Sequence, residues 1–98
     1  MARQPKFALI VPATGEVLDS RIEEFKQRKM REWEARGVPK PMRTYAIELA
    51  ERYVEGLARF LYPDDPEAQK KFMAEQFPRA VERISEPWIR GVLEALGT

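Results

Sequence analysis

The 98-residue sequence contains no cysteine, no histidine and no asparagine. Without cysteine the chain has no disulfide, no thiol nucleophile and no cysteine-ligated zinc. Without histidine it lacks the usual general base and the commonest metal ligand. Few thermolabile residues, many charged residues and eight prolines are typical of a thermophilic source. A GC-rich coding bias would leave the same composition.

Long apolar runs are also missing. The longest, residues 7–11, is shorter than the core of a signal peptide, about 7–15 residues, and far shorter than a membrane span of about 18 residues. With 44% hydrophobic and 34% charged residues, the composition predicts a soluble, cytoplasmic protein that folds as one domain with a modest core.

Groups of residues that could perform catalysis are nearly absent. The only two serines, Ser20 and Ser85, lie at predicted helix starts, where capping explains them. Asp64 and Asp65 belong to a proline-bounded turn, and a metal site there would need further carboxylates. The five glycines are scattered, so they form no phosphate-binding loop. The sequence therefore predicts a protein that is not an enzyme and has no metal site and no cofactor.

The longest helical pattern, residues 44–62, predicts a central amphipathic helix around which the other elements pack. Its apolar residues recur at the i, i+3, i+4, i+7 spacing of one helical face. They are Ala46, Leu49, Ala50, Tyr53, Val54, Leu57, Ala58 and Leu61. Pro63 should end this helix, because its ring denies the preceding residue the α conformation.

The N-terminal residues 7–19 predict a β-hairpin. Two β-rich runs, 7–11 and 16–18, flank a turn in which Gly15 is free to adopt a positive φ. Both faces of the first run are apolar, so either the helices cover them or an edge stays open to another chain. The predicted fold is accordingly α+β and mostly helical: this hairpin, then a bundle of four to five helices.

A charged helix over residues 20–36 should follow the hairpin. Ser20 and Glu23 match a capping box, and Gly37 with Pro39 should close the helix. Residues 37–43 contain two prolines and predict a stiff linker.

The remaining residues, 44–97, form the predicted helical body. After the central helix, Asp65 should cap a helix over 66–77, with Pro66 as its first residue. Pro78 and Pro87 should separate that helix from two shorter ones, 79–85 and 87–97.

Charge is divided unevenly along the chain, with net +4 over residues 21–43 and net −3 over residues 44–98. Helix 20–36 has a thin apolar line with large side chains, flanked by basic residues. Aromatic residues and Arg are enriched in interface cores. The residues predicted to bind a partner are Phe25, Arg28, Lys29, Arg31, Trp33 and Arg36. The alternative is that Phe25 and Trp33 pack on the central helix as ordinary core residues.

These features predict a small module that docks on a larger protein or complex and modulates or inhibits it. No family motif is recognised. In general style, a hairpin followed by charged helices resembles small regulators of phages and mobile elements, which implies a target such as RNA polymerase. The alternative is a nucleic-acid-binding transcriptional regulator that uses the basic helix, although interleaved glutamates dilute its charge. A third hypothesis is self-association through the hairpin edge. No membrane partner is predicted.

Overall fold

The computed structural model describes residues 15–97. These form helix α1 (Gly15–Ala35), helix α2 (Lys40–Leu61), helix α3 (Pro66–Ala80), a π-helical segment (Val81–Ser85) and helix α4 (Glu86–Ala95). Within residues 15–97 there are helices and turns and no strand. The predicted α+β fold is therefore wrong, because the part of the chain that is described is all-helical.

The second strand of the predicted hairpin, residues 16–18, is instead the first turn of α1. Leu18 is buried, and it continues the helical spacing of Ile22, Phe25 and Trp33 on the inner side of α1. Burial of the inner side of α1 favours a helix here, and it outweighs the β-propensity of the three residues 16–18. The predicted capping box is also wrong, because Ser20 lies inside the helix. The first predicted strand, residues 7–11, lies outside the described residues.

Gly37 ends α1 with a Schellman motif. The Val38 N–H donates to the Trp33 carbonyl, and the Gly37 N–H donates to the Glu34 carbonyl, both at 3.0 Å. Gly37 has φ = +92°, a conformation that other residues adopt only with strain. Val38 and Trp33 are both buried, which supplies the hydrophobic contact that usually accompanies this motif.

The predicted linker over 37–43 is much shorter than expected, because α2 already begins at Lys40. Pro39 is the N-cap residue, and Pro41 lies in the first turn, where no helical hydrogen bond needs its missing N–H. The N–H groups of Met42 and Arg43 donate to the Pro39 carbonyl at 3.0 Å. The prolines therefore start α2 rather than separate it from α1.

Residues 66–95 form one continuous helical path, which we call the C-terminal rod. Asp65 caps it by accepting the Ala68 N–H at 3.1 Å. The predicted breaks at Pro78 and Pro87 are wrong, because α3 runs through Pro78 and the backbone stays right-handed helical up to α4. A proline ring displaces the carbonyl four residues before it. For Pro87 that carbonyl lies in the wider π-helical segment.

Helices α1 and α2 pack against the C-terminal rod and against each other. Ion pairs link α1 to each of its two neighbours. Lys26 on α1 pairs with Glu51 on α2, and Asp19 on α1 accepts from Lys70 on α3 at 2.7 Å. The buried core is made of Trp33, Val38, Ala46, Ile47, Ala50, Val54, Phe77, Ala80, Val81 and Ile89. None of the helices in the described residues combines the length and the apolar character that crossing a membrane requires.

Candidate functional site

A buried cluster of charged and polar groups joins α1 to the start of α4. The Glu86 carboxylate accepts hydrogen bonds from Lys29 Nζ at 2.6 Å, Trp33 Nε1 at 2.9 Å and Arg36 Nη1 at 3.0 Å. Glu86 is 7% exposed and Lys29 is 8% exposed. We call these four residues the Glu86 cluster.

The helical repeat explains how α1 supplies three donors to one carboxylate. Lys29, Trp33 and Arg36 are spaced i, i+4 and i+7, so Lys29 and Trp33 lie on one side of α1 and Arg36, the first residue after Ala35, follows on the same side. Glu86 is the first residue of α4 and follows the π-helical segment. Lys29 Nζ also bonds to Glu32 and lies 5.4 Å from the centroid of the Trp33 ring. The donors therefore approach Glu86 from the C-terminal half of α1 and the residue that follows it.

The cluster holds both of its buried charges in the ionised form. Burial alone would raise the pKa of Glu86, but the donors Lys29, Trp33 and Arg36 outweigh it and lower the pKa from 4.5 to about 2. Burial likewise acts to lower the pKa of Lys29, but its bonds to Glu32 and Glu86 raise the pKa above its usual value.

The chemistry of this cluster favours a structural joint over a reactive centre. A carboxylate with a pKa of about 2 is a weak base at neutral pH and accepts protons poorly. Three donors already occupy it, and one of them is the fully buried Trp33. Nothing in the sequence points to Glu86, because a glutamate before a proline is read as a helix-start residue. Only the packing of α1 on the C-terminal rod brings the four residues together.

The structure divides the six predicted partner-binding residues between core and surface. Trp33 and Lys29 are buried in the Glu86 cluster, so in this fold neither side chain is available to a partner. Arg36 is partly exposed but is paired with Glu86. Arg28 and Arg31 are exposed, and Phe25 is half-buried.

Phe25 and Arg28 border an open groove between α1 and α3, which we call the outer groove. Its volume is about 310 Å³. The groove is lined by Arg21, Ile22, Glu24, Phe25, Arg28, Ala74, Phe77 and Pro78. Phe25 packs edge-on against Phe77 with ring centroids 5.7 Å apart, and the Arg28 guanidinium lies 5.2 Å from the Phe25 centroid. The outer groove thus has an aromatic wall beneath a cation.

The fold pairs half of the basic residues in the helix proposed for nucleic acid. Lys26 pairs with Glu51, and both Lys29 and Arg36 pair with Glu86. The other three of its six basic residues, Arg21, Arg28 and Arg31, have no ion pair among the described residues. Three cations are a weak attachment for a phosphate backbone, whose binding depends on the number of phosphates neutralised.

Sequence reasoning missed a second surface, on α2. Tyr53 belongs to the predicted inward face but is 54% exposed, and Phe60 is 81% exposed. The buried residues of α2 are Ala46, Ile47, Ala50, Val54 and Ala58. Small alanines allow α2 to approach its neighbours closely, so the helix buries only part of its wide apolar arc. The larger side chains at the edge of that arc stay outside.

No group of three or more Asp or Glu side chains in residues 17–97 is arranged to hold a metal ion. Comparison of the chain with protein-family models, curated proteins and solved structures gives no match.

Proposed function

We propose that this protein is a cytoplasmic, non-enzymatic module that docks on a larger protein through the outer groove and modulates it. The observation that carries the proposal is the Arg28 guanidinium stacked over Phe25 at the rim of that groove. Arginine and aromatic side chains dominate the binding energy of many protein interfaces. The groove floor is apolar, with Ala74, Phe77 and Pro78.

The charges around the outer groove favour an acidic partner. Arg21, Arg28 and Arg31 are exposed on α1 and have no ion pair among the described residues, while Glu24 is the only carboxylate that lines the groove. The partner segment should therefore present an apolar side chain to Phe25 and Phe77, flanked by carboxylates that face the arginines. The partner's apolar side chain would then be buried in the groove and surrounded by charged residues, as in many interfaces.

The test is capture of partners from a lysate of the source cells by the tagged full-length protein, with nuclease present. The variant carries Arg28→Glu and Arg31→Glu. The matched control carries Arg79→Glu and Arg90→Glu, which reverse two exposed arginines on the C-terminal rod. We expect a stoichiometric protein partner that the wild type and the control retain and the α1 variant loses.

Two results would contradict the proposal. Equal retention by both double variants would remove the outer groove from the interaction. Loss of all recovery upon nuclease treatment would instead assign Arg28 and Arg31 to a phosphate backbone, and affinity would then fall steeply with salt. Circular dichroism should show equal helix content for all three proteins, since the substituted side chains are exposed.

A further inference from the structure

A second groove, which we call the inner groove, is lined by residues of α1, α2 and α3. Its volume is about 200 Å³. The floor is apolar and consists of Ile22, Val54, Met73 and Phe77. Ile22 and Met73 are only partly buried by the described residues, although both pack against the core. The inner groove therefore leaves apolar surface of the core open to a further element.

The inner groove is small for a site that binds a small molecule. Such sites have volumes of about 300–1,000 Å³ and enclose most of the surface of their ligand. Apolar side chains that project from a segment of protein need less room, because the backbone of that segment stays outside. The volume and the apolar floor of the inner groove thus favour a protein segment as its occupant.

Carboxylates dominate the rim of the inner groove. Asp19, Glu23 and Glu51 line it, and Lys26 is the one cation among its lining residues. Lys26 pairs with Glu51, and Asp19 pairs with Lys70. Glu23 is exposed and has no ion pair among the described residues. The rim therefore favours a segment that carries positive charge.

The first 14 residues of the chain have the composition that the inner groove favours. Residues 7–11 are Phe-Ala-Leu-Ile-Val, a run that is apolar on both faces when it is extended. Arg3 and Lys6 precede this run, and residues 1–14 contain no acidic residue, so their net charge is +2. The outer groove is a poorer match for a basic segment, because two arginines line it.

The described part of the chain begins beside the inner groove. Gly15 is the first residue of α1, and Asp19 and Ile22 lie about 6 Å and 10 Å further along the helix axis. The four residue steps between Val11 and Gly15 span at most about 14 Å. Residues 7–11 can therefore reach the groove and lie along it antiparallel to α1.

We propose that residues 7–11 bind in the inner groove of their own chain, with apolar side chains on its floor and with Arg3 and Lys6 beside its acidic rim. The bound segment covers the open part of the floor. It adds an apolar contact between α1 and α2 at the end of the molecule where α1 begins. The outer groove takes no part in this contact and stays open to the partner of the proposed function.

The first experiment records contacts between methyl groups of the full-length wild type by nuclear Overhauser spectroscopy. Met73 lines the inner groove and its neighbour Ala74 lines the outer groove, so their methyl groups distinguish the two sites. We expect cross-peaks from Leu9, Ile10 or Val11 to Met73. Cross-peaks to Ala74 instead, or to neither residue, would overturn the proposal.

A second measurement compares the urea midpoints of unfolding of two double variants. Leu9→Asn with Ile10→Asn removes one apolar side chain from each face of the run. Ala2→Asn with Gln4→Asn is the matched control, because it changes the same segment outside the run and leaves the charge unaltered. We expect a lower midpoint for the first variant alone, since it loses buried apolar surface. Equal midpoints in the wild type and both variants would contradict the proposal, and a lower midpoint without cross-peaks to Met73 would place the run on another part of the protein.

Charge reversal at two adjacent glutamates tests the acidic rim. Glu23 lines the inner groove and Glu24 lines the outer groove, and both are exposed on α1. Glu23→Lys should weaken the cross-peaks to Met73, because a cation then faces Arg3 and Lys6. Glu24→Lys should leave them unchanged. An equal effect of the two variants would refute the contact between the basic residues and the rim.

These results are separable from those of the proposed function. The variants at residues 9 and 10 leave Arg28 and Arg31 unchanged, so they should still capture the partner. Loss of capture by the Arg28 and Arg31 variant, with the cross-peaks to Met73 intact, would support the proposed function and leave the inner groove occupied. Absence of those cross-peaks with capture intact would refute the inner groove alone.

Discussion

Helices α1 and α2 place their large aromatic residues in opposite environments. On α1, Trp33 is fully buried and donates its indole N–H to Glu86. On α2, Phe60 is 81% exposed and Tyr53 is 54% exposed. The difference follows from the residues around them. The inner side of α1 has large side chains that pack on the C-terminal rod, with Phe25 against Phe77 and Trp33 bonded to Glu86, whereas three of the five buried residues of α2 are small alanines.

The ion pairs of the two helices also differ, both in sequence separation and in burial. Lys29 on α1 finds its partner Glu86 57 residues away, in the interior. Arg59 on α2 finds its partner Glu55 one turn away, at the surface. A buried pair must recover a large desolvation cost through hydrogen bonds, and removal of one member leaves a buried charge unpaired. The Lys29–Glu86 pair therefore joins two elements of the fold, whereas the Glu55–Arg59 pair stays within one helix at the surface.

The largest expected effect is the difference in stability between a Trp33 variant and a Phe60 variant. Trp33→Ala should lower the free energy of unfolding by about 3–5 kcal/mol, since it creates a cavity and removes a donor from Glu86. Phe60→Ala should change it by about 0.5 kcal/mol or less, as expected for an exposed side chain. Urea unfolding measures both free energies. Similar losses in the two variants would contradict the contrast between the helices.

The next effect is the loss of stability of the folded protein at acidic pH. The pKa of Glu86 is about 2 in the folded protein and 4.5 ordinarily, so its stabilisation is complete above pH 4.5 and is lost as the pH falls toward 2. The shift corresponds to roughly 3 kcal/mol at most. Glu86→Gln should therefore be less stable at neutral pH, and its stability should decline less steeply between pH 5 and pH 2.

The control for this measurement is Glu94→Gln, which removes an exposed carboxylate from the same helix. It should keep the steep acid dependence of the wild type. Urea unfolding at each pH gives the slopes. An unchanged slope in Glu86→Gln would mean that other carboxylates cause the acid sensitivity, and the Glu86 cluster would lose its role as the main joint between α1 and α4.

Sequence patterns predicted the presence of the helices and two of their ends better than how the helices connect. The end of α1 at Gly37 and the cap at Asp65 follow from local chemistry, because each needs only residues within one turn. The hairpin failed because residues 16–18 are too few to distinguish an alternating pattern from a helical one. The predicted break at Pro87 failed because the carbonyl that its ring displaces lies in the wider π-helical segment. The predicted break at Pro78 failed because α3 continues through that proline to Ala80.

The candidate sites were harder to predict, because they depend on which element covers which face. The narrow apolar line of α1 gave Trp33 the pattern of an exposed anchor, and only the distant Glu86 shows that the line is buried. The wide apolar arc of α2 gave Tyr53 the pattern of a core residue, and only the alanines beside it show that the arc is partly exposed. Helical spacing fixes a face of a helix, whereas its neighbours decide the burial of that face.

A smaller effect tests the contact between α2 and the π-helical segment. Ser85 is fully buried, and its Oγ donates to the Ala46 carbonyl at 2.5 Å. Ser85→Ala should lower the free energy of unfolding by about 1 kcal/mol, since it removes a buried hydrogen bond between the two elements. The matched control is Ser20→Ala, because Ser20 is exposed within α1. Thermal or urea unfolding should show no loss for the control, and an equal loss in both variants would rule out a role for the buried hydrogen bond.

The smallest effect returns to the surface pair of α2. Glu55 and Arg59 approach to 2.8 Å, close to the 2.6 Å between Lys29 and Glu86, yet the side chains of the α2 pair are 44% and 70% exposed, against 10% for each member of the buried pair. A double-mutant cycle with Glu55→Gln and Arg59→Gln should give a coupling energy of about 0.3–0.5 kcal/mol, which salt should abolish. The same cycle with Lys29→Met and Glu86→Gln should give a larger coupling that salt hardly changes, because both side chains are only 10% exposed and buried pairs are screened much less. Equal couplings would show that distance rather than burial sets the strength of these pairs, and the contrast between α1 and α2 would then fail.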